Sequence, residues 1–138
     1  MKRTHLLLLM LMLVTAVQLA ACSPKTTTVE KINPVELKEI EGSELKQVIL
    51  TEKAAQRIKV NTVPASRMVV PYSAVIYDVE GITWVYGNPA PLTFVRSAVV
   101  IDHIEGDQAF LSKPLESDAP IVTVGVAEIY GAETGVSK

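Results

Sequence analysis

From Pro71 to Tyr130 the chain is a succession of short Val- and Ile-rich segments, broken at regular spacing by Gly, Pro and Asp, and this pattern restricts it to a mainly β fold. Ser73 to Tyr77 and Ile82 to Tyr86 read as the strands of a hairpin closed by Asp78-Val79-Glu80-Gly81, with the glycine supplying the positive φ of the turn. Gly87-Asn88-Pro89-Ala90-Pro91 reads as a rigid loop, because proline has no N–H for a ladder. Leu92 to Ile101 is the longest expected strand, followed by a turn at Glu105-Gly106-Asp107 and a return strand at Gln108 to Ser112. After the Lys113 to Pro120 loop, Ile121 to Val126 gives a last strand and Ala127 to Tyr130 a helical turn. Val95 to Ile101 carries apolar residues toward both faces, which suits a covered sheet or a small closed barrel. The expected fold is therefore mainly β, a small barrel-like or sandwich domain over residues 47–138 with one short helix.

That helix is marked at Glu52 to Ile58. Thr51 is a good N-cap, Glu52 complements the dipole in the first turn, and Ala54, Ala55 and Ile58 share one face. A helix this short holds only by packing. Val60 to Val63 alternates and returns to the sheet, ending near Pro64. Upstream, Glu30 to Lys46 mixes acids and lysines, and Val35 and Leu37 alternate. It reads either as an edge strand turning at Gly42-Ser43 or as a solvated linker.

The amino-terminal stretch concerns delivery. Residues 1–21 carry Lys2 and Arg3, an apolar run of about nine residues and then small residues, the three-part plan of a secretory signal. The run is too short to cross a bilayer core, which takes roughly 20 residues. Leu19-Ala20-Ala21-Cys22 resembles the lipobox of bacterial lipoproteins, which implies cleavage before Cys22 and a lipid on its thiol. Cys22 is the one cysteine, so no internal disulfide competes for it. Residues 22–46 then form the lipidated terminus and a tether. Subtracting Lys2 and Arg3 from the 13 basic residues leaves 11 against 15 acids, a mature charge of about −4. This argues against nucleic acid as a partner and against electrostatic attraction to an anionic bilayer.

Chemistry-bearing groups are sparse. Asp102, His103, Glu105 and Asp107 crowd one turn and are the only weak candidates for a metal site, although a solvated hairpin tip explains them as well. With no second mature histidine and no free thiol, a tetrahedral zinc site is not expected. Trp84, Tyr72, Tyr77 and Tyr86 line a ligand groove or fill the core. There is no Gly-x-Ser-x-Gly elbow and no phosphate-binding glycine loop, so no enzyme and no cofactor are expected.

Several of these segments carry a resemblance. Val70-Pro71-Tyr72-Ser73-Ala74-Val75, Thr83-Trp84-Val85-Tyr86, Phe94-Val95-Arg96, Val99-Val100, Leu111-Ser112 and Ile121-Val122-Thr123-Val124-Gly125 resemble the closing segment of periplasmic adaptor subunits, the membrane fusion proteins of tripartite efflux pumps. Leu50 to Ile58 is similar to the opening of the same adaptors. The resemblance covers Gln47 to Val136 and implies the membrane-proximal β domain, which rests on a transporter. The lipoyl-like sandwich and α-helical hairpin of that family have no counterpart here, since only Pro64 to Val70 intervenes. Pro114 and Asp118 also stand in a loop where adaptors commonly have glycines. The implied function is a non-catalytic, lipid-anchored envelope protein facing the periplasm or exterior, adaptor-like or accessory to an efflux transporter or a full-length adaptor. The alternative is a small-ligand or metal-binding lipoprotein.

Replacing Cys22 by Ala tests the anchor. The variant is expected in the soluble fraction, correctly folded and without radioactive palmitate, because one lipidated residue carries the attachment. A membrane-bound variant, or a wild type that takes up no label, overturns the assignment.

Overall fold

The computed structural model describes residues 33–135, so the expected signal peptide, Cys22 and most of the tether lie outside the described residues. In chain order the elements are β1 (Val35–Glu39), β2 (Lys46–Leu50), α1 (Glu52–Arg57), β3 (Asn61–Val63), β4 (Val69–Pro71), a 3-10 turn (Tyr72–Ala74), β5 (Ile76–Tyr77) and β6 (Thr83–Ala90). There follow β7 (Thr93–Val99), β8 (Ile101–Glu105), β9 (Gln108–Leu111), β10 (Ile121–Val124) and α2 (Val126–Thr134). Seven strands form the larger sheet in the order β1-β2-β7-β6-β10-β3, with β5 also on β6, and β4-β9-β8 form a second sheet of three. The larger sheet runs from one edge at β1 to another at β3 without closing, so the sandwich-like expectation holds and the closed barrel does not.

Strand alternation explains why the central strands are apolar on both sides. Val85 is fully buried in one core, with Val99, Ile121 and the second sheet's Val70, Ala109 and Leu111. Its neighbour Tyr86 is equally buried in the other, with Val48, Phe94, Val122 and the α2 residues Val126 and Ile129. Ile121 and Val122 divide between the two cores in the same way. The larger sheet is thus a middle layer, covered by the small sheet on one face and by helices on the other. Each large side chain so withdrawn from water contributes about 1.5–3 kcal/mol.

Helix α1 forms as its sequence indicates. Thr51 Oγ1 accepts from the Ala54 N–H at 3.2 Å, and Glu52 and Arg57 lie at the ends their charges favour. It ends in a Schellman motif: Val60 N–H donates to Ala55 C=O and Lys59 N–H to Gln56 C=O. Lys59 carries the left-handed φ of 53° that this ending requires, where glycine is the usual occupant. Ala54, Ala55 and Ile58 pack into the helix-side core. Of the two readings of the acidic upstream segment, Val35 to Glu39 is an edge strand, paired to β2 in the register Val35 with Leu50.

Four expectations need correction. Ser73 to Tyr77 is not one strand, because after Pro71 the chain closes a tight turn through Val75 N–H to Tyr72 C=O, burying Ala74 as it passes from the small sheet to the large one. The expected Gly87 to Pro91 loop belongs largely to β6, because the β6–β7 register shifts between Gly87 and Ala90 and Pro89 sits in that irregularity. Asn88 Nδ2 bridges the shift by donating to Ala90 C=O and Thr93 C=O. The expected strand Leu92 to Ile101 begins only after Leu92, whose φ of 57° makes a turn. It is then divided at Val100 between the two sheets. Finally, the expected turn at Ala127 to Tyr130 is a nine-residue helix, since Ile129 and Val126 have a core to enter.

Gly125 precedes that helix at φ 88°, and a Cβ there would stand 3.2 Å from Val60 Cγ2 and 3.3 Å from Ile58 Cδ1. Gly106 has φ 60° and open space around it. Both glycine-to-alanine changes should cost about 1–2 kcal/mol for left-handed backbone. Gly125→Ala should cost roughly 1 kcal/mol more for crowding. Urea denaturation of the two variants measures the difference, and equal costs would show that the α1–α2 junction is not tightly packed.

Candidate functional site

Buried charge is concentrated where α2 crosses the large sheet. Glu133, on the last turn of α2, is only 7% exposed. Its Oε2 accepts from the Tyr86 hydroxyl at 2.5 Å, and its Oε1 lies 3.0 Å from Arg96 Nε. That N–H is not aimed along the line to the oxygen, so the contact is an ion pair rather than a well-formed hydrogen bond. Tyr86 and Arg96 are opposite each other on β6 and β7, so one cross-strand pair delivers both partners to one carboxylate. The pKa of the Tyr86 phenol is raised, first by burial and then by its hydrogen bond to Glu133 and the carboxylate's charge, so it remains a donor.

The charge network continues toward the sheet's end. The Arg96 guanidinium lies over the Trp84 ring, 4.3 Å from its centroid, and 5.9 Å from the Tyr130 ring. Trp84 Nε1 donates to Asp78 Oδ2 at 2.8 Å, and Asp78 Oδ1 accepts from the N–H groups of Glu80 and Ile82. One acid thus closes the β5–β6 turn and fixes the indole. Desolvation alone would raise the Asp78 pKa. The hydrogen bonds from Trp84, Ile82 and Glu80, together with the Arg96 charge, instead hold it below its ordinary value.

Beyond this turn the sheet ends in exposed apolar side chains. Val79 at the tip is 92% exposed, and Tyr77, Ile82 and Val100 are each about half exposed. The Tyr77 phenol is held above its ordinary pKa chiefly by its interaction with the Tyr72 phenol. Two hollows meet at Val99 and Val100. One, of about 420 Å³, is open and lined by Tyr77, Ile82, Thr83 and Ile101. The other, of about 620 Å³, is deeper and runs past Trp84, Arg96 and Ala98 between the β1–β2 turn and the loop before β10.

The aromatic residues read from the sequence therefore do not line one cavity. Tyr86 fills the core, Trp84 is half-buried beneath Arg96, and Tyr72 and Tyr77 are at the surface. The acidic turn separates too. His103 Nδ1 lies 2.8 Å from Asp102 Oδ2 and its ring stacks on the half-buried Phe110 at 4.5 Å, on the outward side of β8 and β9. Glu105 and Asp107 do not join them, and among the described residues no three His, Cys, Asp or Glu side chains converge as a metal site requires. Sequence reasoning missed Arg96 and Glu133. The available signal was a single arginine inside the apolar run from Phe94 to Val100, since a charge there needs a partner.

Trp84 is the one tryptophan and reports directly on Asp78. Because the folded state lowers the pKa of Asp78, its contribution to stability is fully present above the ordinary carboxylate value and is lost as pH falls through the lowered one. Acid titration followed by Trp84 fluorescence should show a transition below the ordinary carboxylate range, absent in Asp78→Ala. An unchanged transition in that variant would assign it to another group.

No protein-family model, no curated protein and no solved structure matches the chain, so its own geometry carries the functional argument.

Proposed function

We propose that the protein is a non-catalytic lipoprotein of the cell envelope, held to the membrane through lipidated Cys22, that binds another protein through the sheet end around Val100. The partner proposed is a component of a transport complex, an efflux transporter or a full-length adaptor of the family whose membrane-proximal segments this chain resembles. The observation that carries the reading is the set of exposed apolar side chains at one end of the large sheet: Val79 and Ile82 on the turn closed by Asp78, Tyr77 before it, and Val100 at the break between β7 and β8. A domain with two filled cores gains nothing for its own stability from such residues, whereas a protein interface gains from burying them. No helix among the described residues is long and apolar enough to cross a membrane, and the lipobox-like Leu19 to Cys22 supplies an attachment of another kind.

Membrane pull-down with the lipobox intact, from cells that express efflux transporters and their adaptors, should recover a transport component. A Val79→Asp, Val100→Asp double variant should lose it while keeping its thermal stability, because both side chains are exposed. Recovery of bulk lipoproteins alone by the wild type, or undiminished recovery by the variant, would falsify the proposal.

A further inference from the structure

The hydrogen-bonding directions of β7 can be read from three contacts. Leu92 C=O accepts from the Leu50 N–H at 2.9 Å, toward β2. Thr93 C=O accepts from Asn88 Nδ2 and Val99 C=O from Thr83 Oγ1, both toward β6. Odd-numbered β7 residues thus direct their backbone groups to β6, and the even-numbered Phe94, Arg96 and Ala98 direct theirs to the β2 side. The β2 ladder stops at Gln47 opposite Val95, while the strand stays paired to β1 through Lys46 and Glu39. Ala98 is exposed and stands opposite Trp84 as a non-hydrogen-bonded pair of the β6–β7 ladder, so its N–H and C=O point away from β6, past the end of the β2 ladder, and no turn or loop hydrogen bond among the described residues reaches them. Both face the 620 Å³ groove.

We propose that this groove takes an extended, positively charged segment of a partner protein, which adds to the free edge of β7 as a strand in the position β2 leaves empty. The inference rests on the partner-binding reading and names the contact that would hold the partner. An edge with unpaired N–H and C=O groups is the template that strand addition uses. The walls select the occupant. The turn containing Ser43 and Glu44 stands on one side and the loop from Lys113 to Glu116 on the other, so the edge is recessed. A second copy of the chain has its own β7 edge between the same walls, and two recessed edges cannot meet. A single extended segment of about four residues, roughly 13 Å long, can enter. Charge sets the sign. Arg96 is compensated by Glu133, whereas Glu44 and Glu116 have no ion-pair partner among the described residues and outnumber Lys113. The groove therefore favours basic side chains, as does a mature chain of about −4.

The test uses the full-length lipoprotein in neutral detergent and a fluorescently labelled heptapeptide of alternating lysine and valine. Two control peptides accompany it, one with glutamate replacing lysine and one N-methylated on both edges. Saturable binding of the parent is expected, with the N-methylated peptide about threefold to tenfold weaker or worse, because it cannot donate to the Ala98 C=O and its methyl groups crowd the edge. The glutamate peptide should also bind more weakly. Ala98→Pro replaces the N–H directed into the groove by a ring carbon, at a position whose N–H takes no part in the β6 ladder, so it should weaken the parent about threefold to tenfold. The N-methylated control needs only wild-type protein, which keeps the test decisive if Ala98→Pro folds poorly. Equal binding of the N-methylated or glutamate peptide, or no saturable binding of the parent below ~1 mM, overturns the proposal. If the wild type still recovers a transport component after such a result, strand addition is wrong and the partner reading stands. If the peptide binds as expected and no transport component is recovered, the reverse holds.

Discussion

Burying the Glu133 carboxylate between α2 and the large sheet is a cost the rest of the fold is arranged to meet. Removing a carboxylate from water is expensive unless charge and hydrogen bonds replace the lost solvent. Here the replacement comes from one cross-strand pair, Tyr86 giving a hydroxyl and Arg96 a positive charge. A polar pair of this kind adds little net stability over apolar packing, but removing either partner strands a buried charge on the other. Its effect is on specificity: α2 can sit on the sheet in only one register, because sliding by a turn would carry Glu133 away from both partners.

The same arginine links the helix to the far turn. Its guanidinium covers Trp84, Trp84 donates to Asp78, and Asp78 accepts the N–H groups that close the β5–β6 turn. A continuous chain of side-chain contacts therefore runs from the last turn of α2 to the exposed tip bearing Val79. The apolar sheet end is presented on a backbone fixed by hydrogen bonds, and a preordered surface loses less conformational entropy when it binds.

Much of this architecture was legible where the signal is local. Thr51 and Glu52 marked the start of α1, Gly81 and Gly106 marked their turns, and strands with apolar residues on both faces indicated a covered sheet. What was not legible depended on distant partners. Pro89 looks like a ladder breaker because the sequence does not reveal that the β6–β7 register shifts around it. Val100 looks like the middle of an apolar strand, yet its C=O is turned to Ser112 and the chain changes sheets there. Glu133 looks like one acid in a solvated tail, since Tyr86 lies 47 residues away in sequence and nothing near Glu133 announces it. Leu92 and Lys59 adopt left-handed backbone without the glycine that would signal it, Leu92 where its C=O accepts from Leu50 on β2 and Lys59 inside the hydrogen-bonded turn that ends α1.

The crossing at Val100 also explains why the large sheet has an incomplete edge inside it. β7 is seven residues long and β2 five, but the register that aligns Val35 with Leu50 and Ile49 with Thr93 exhausts β2 before β7 ends. Extending β2 would carry the β1–β2 turn toward the point where β7 leaves the sheet and Val100 C=O takes its hydrogen bonds from Ser112. One strand cannot both feed the second sheet through a break at Val100 and remain flanked along its whole length by β2. The unpaired groups of Ala98 follow from the way two sheets share a single continuous stretch of chain, and the turn and loop beside them shield an edge that would otherwise invite aggregation.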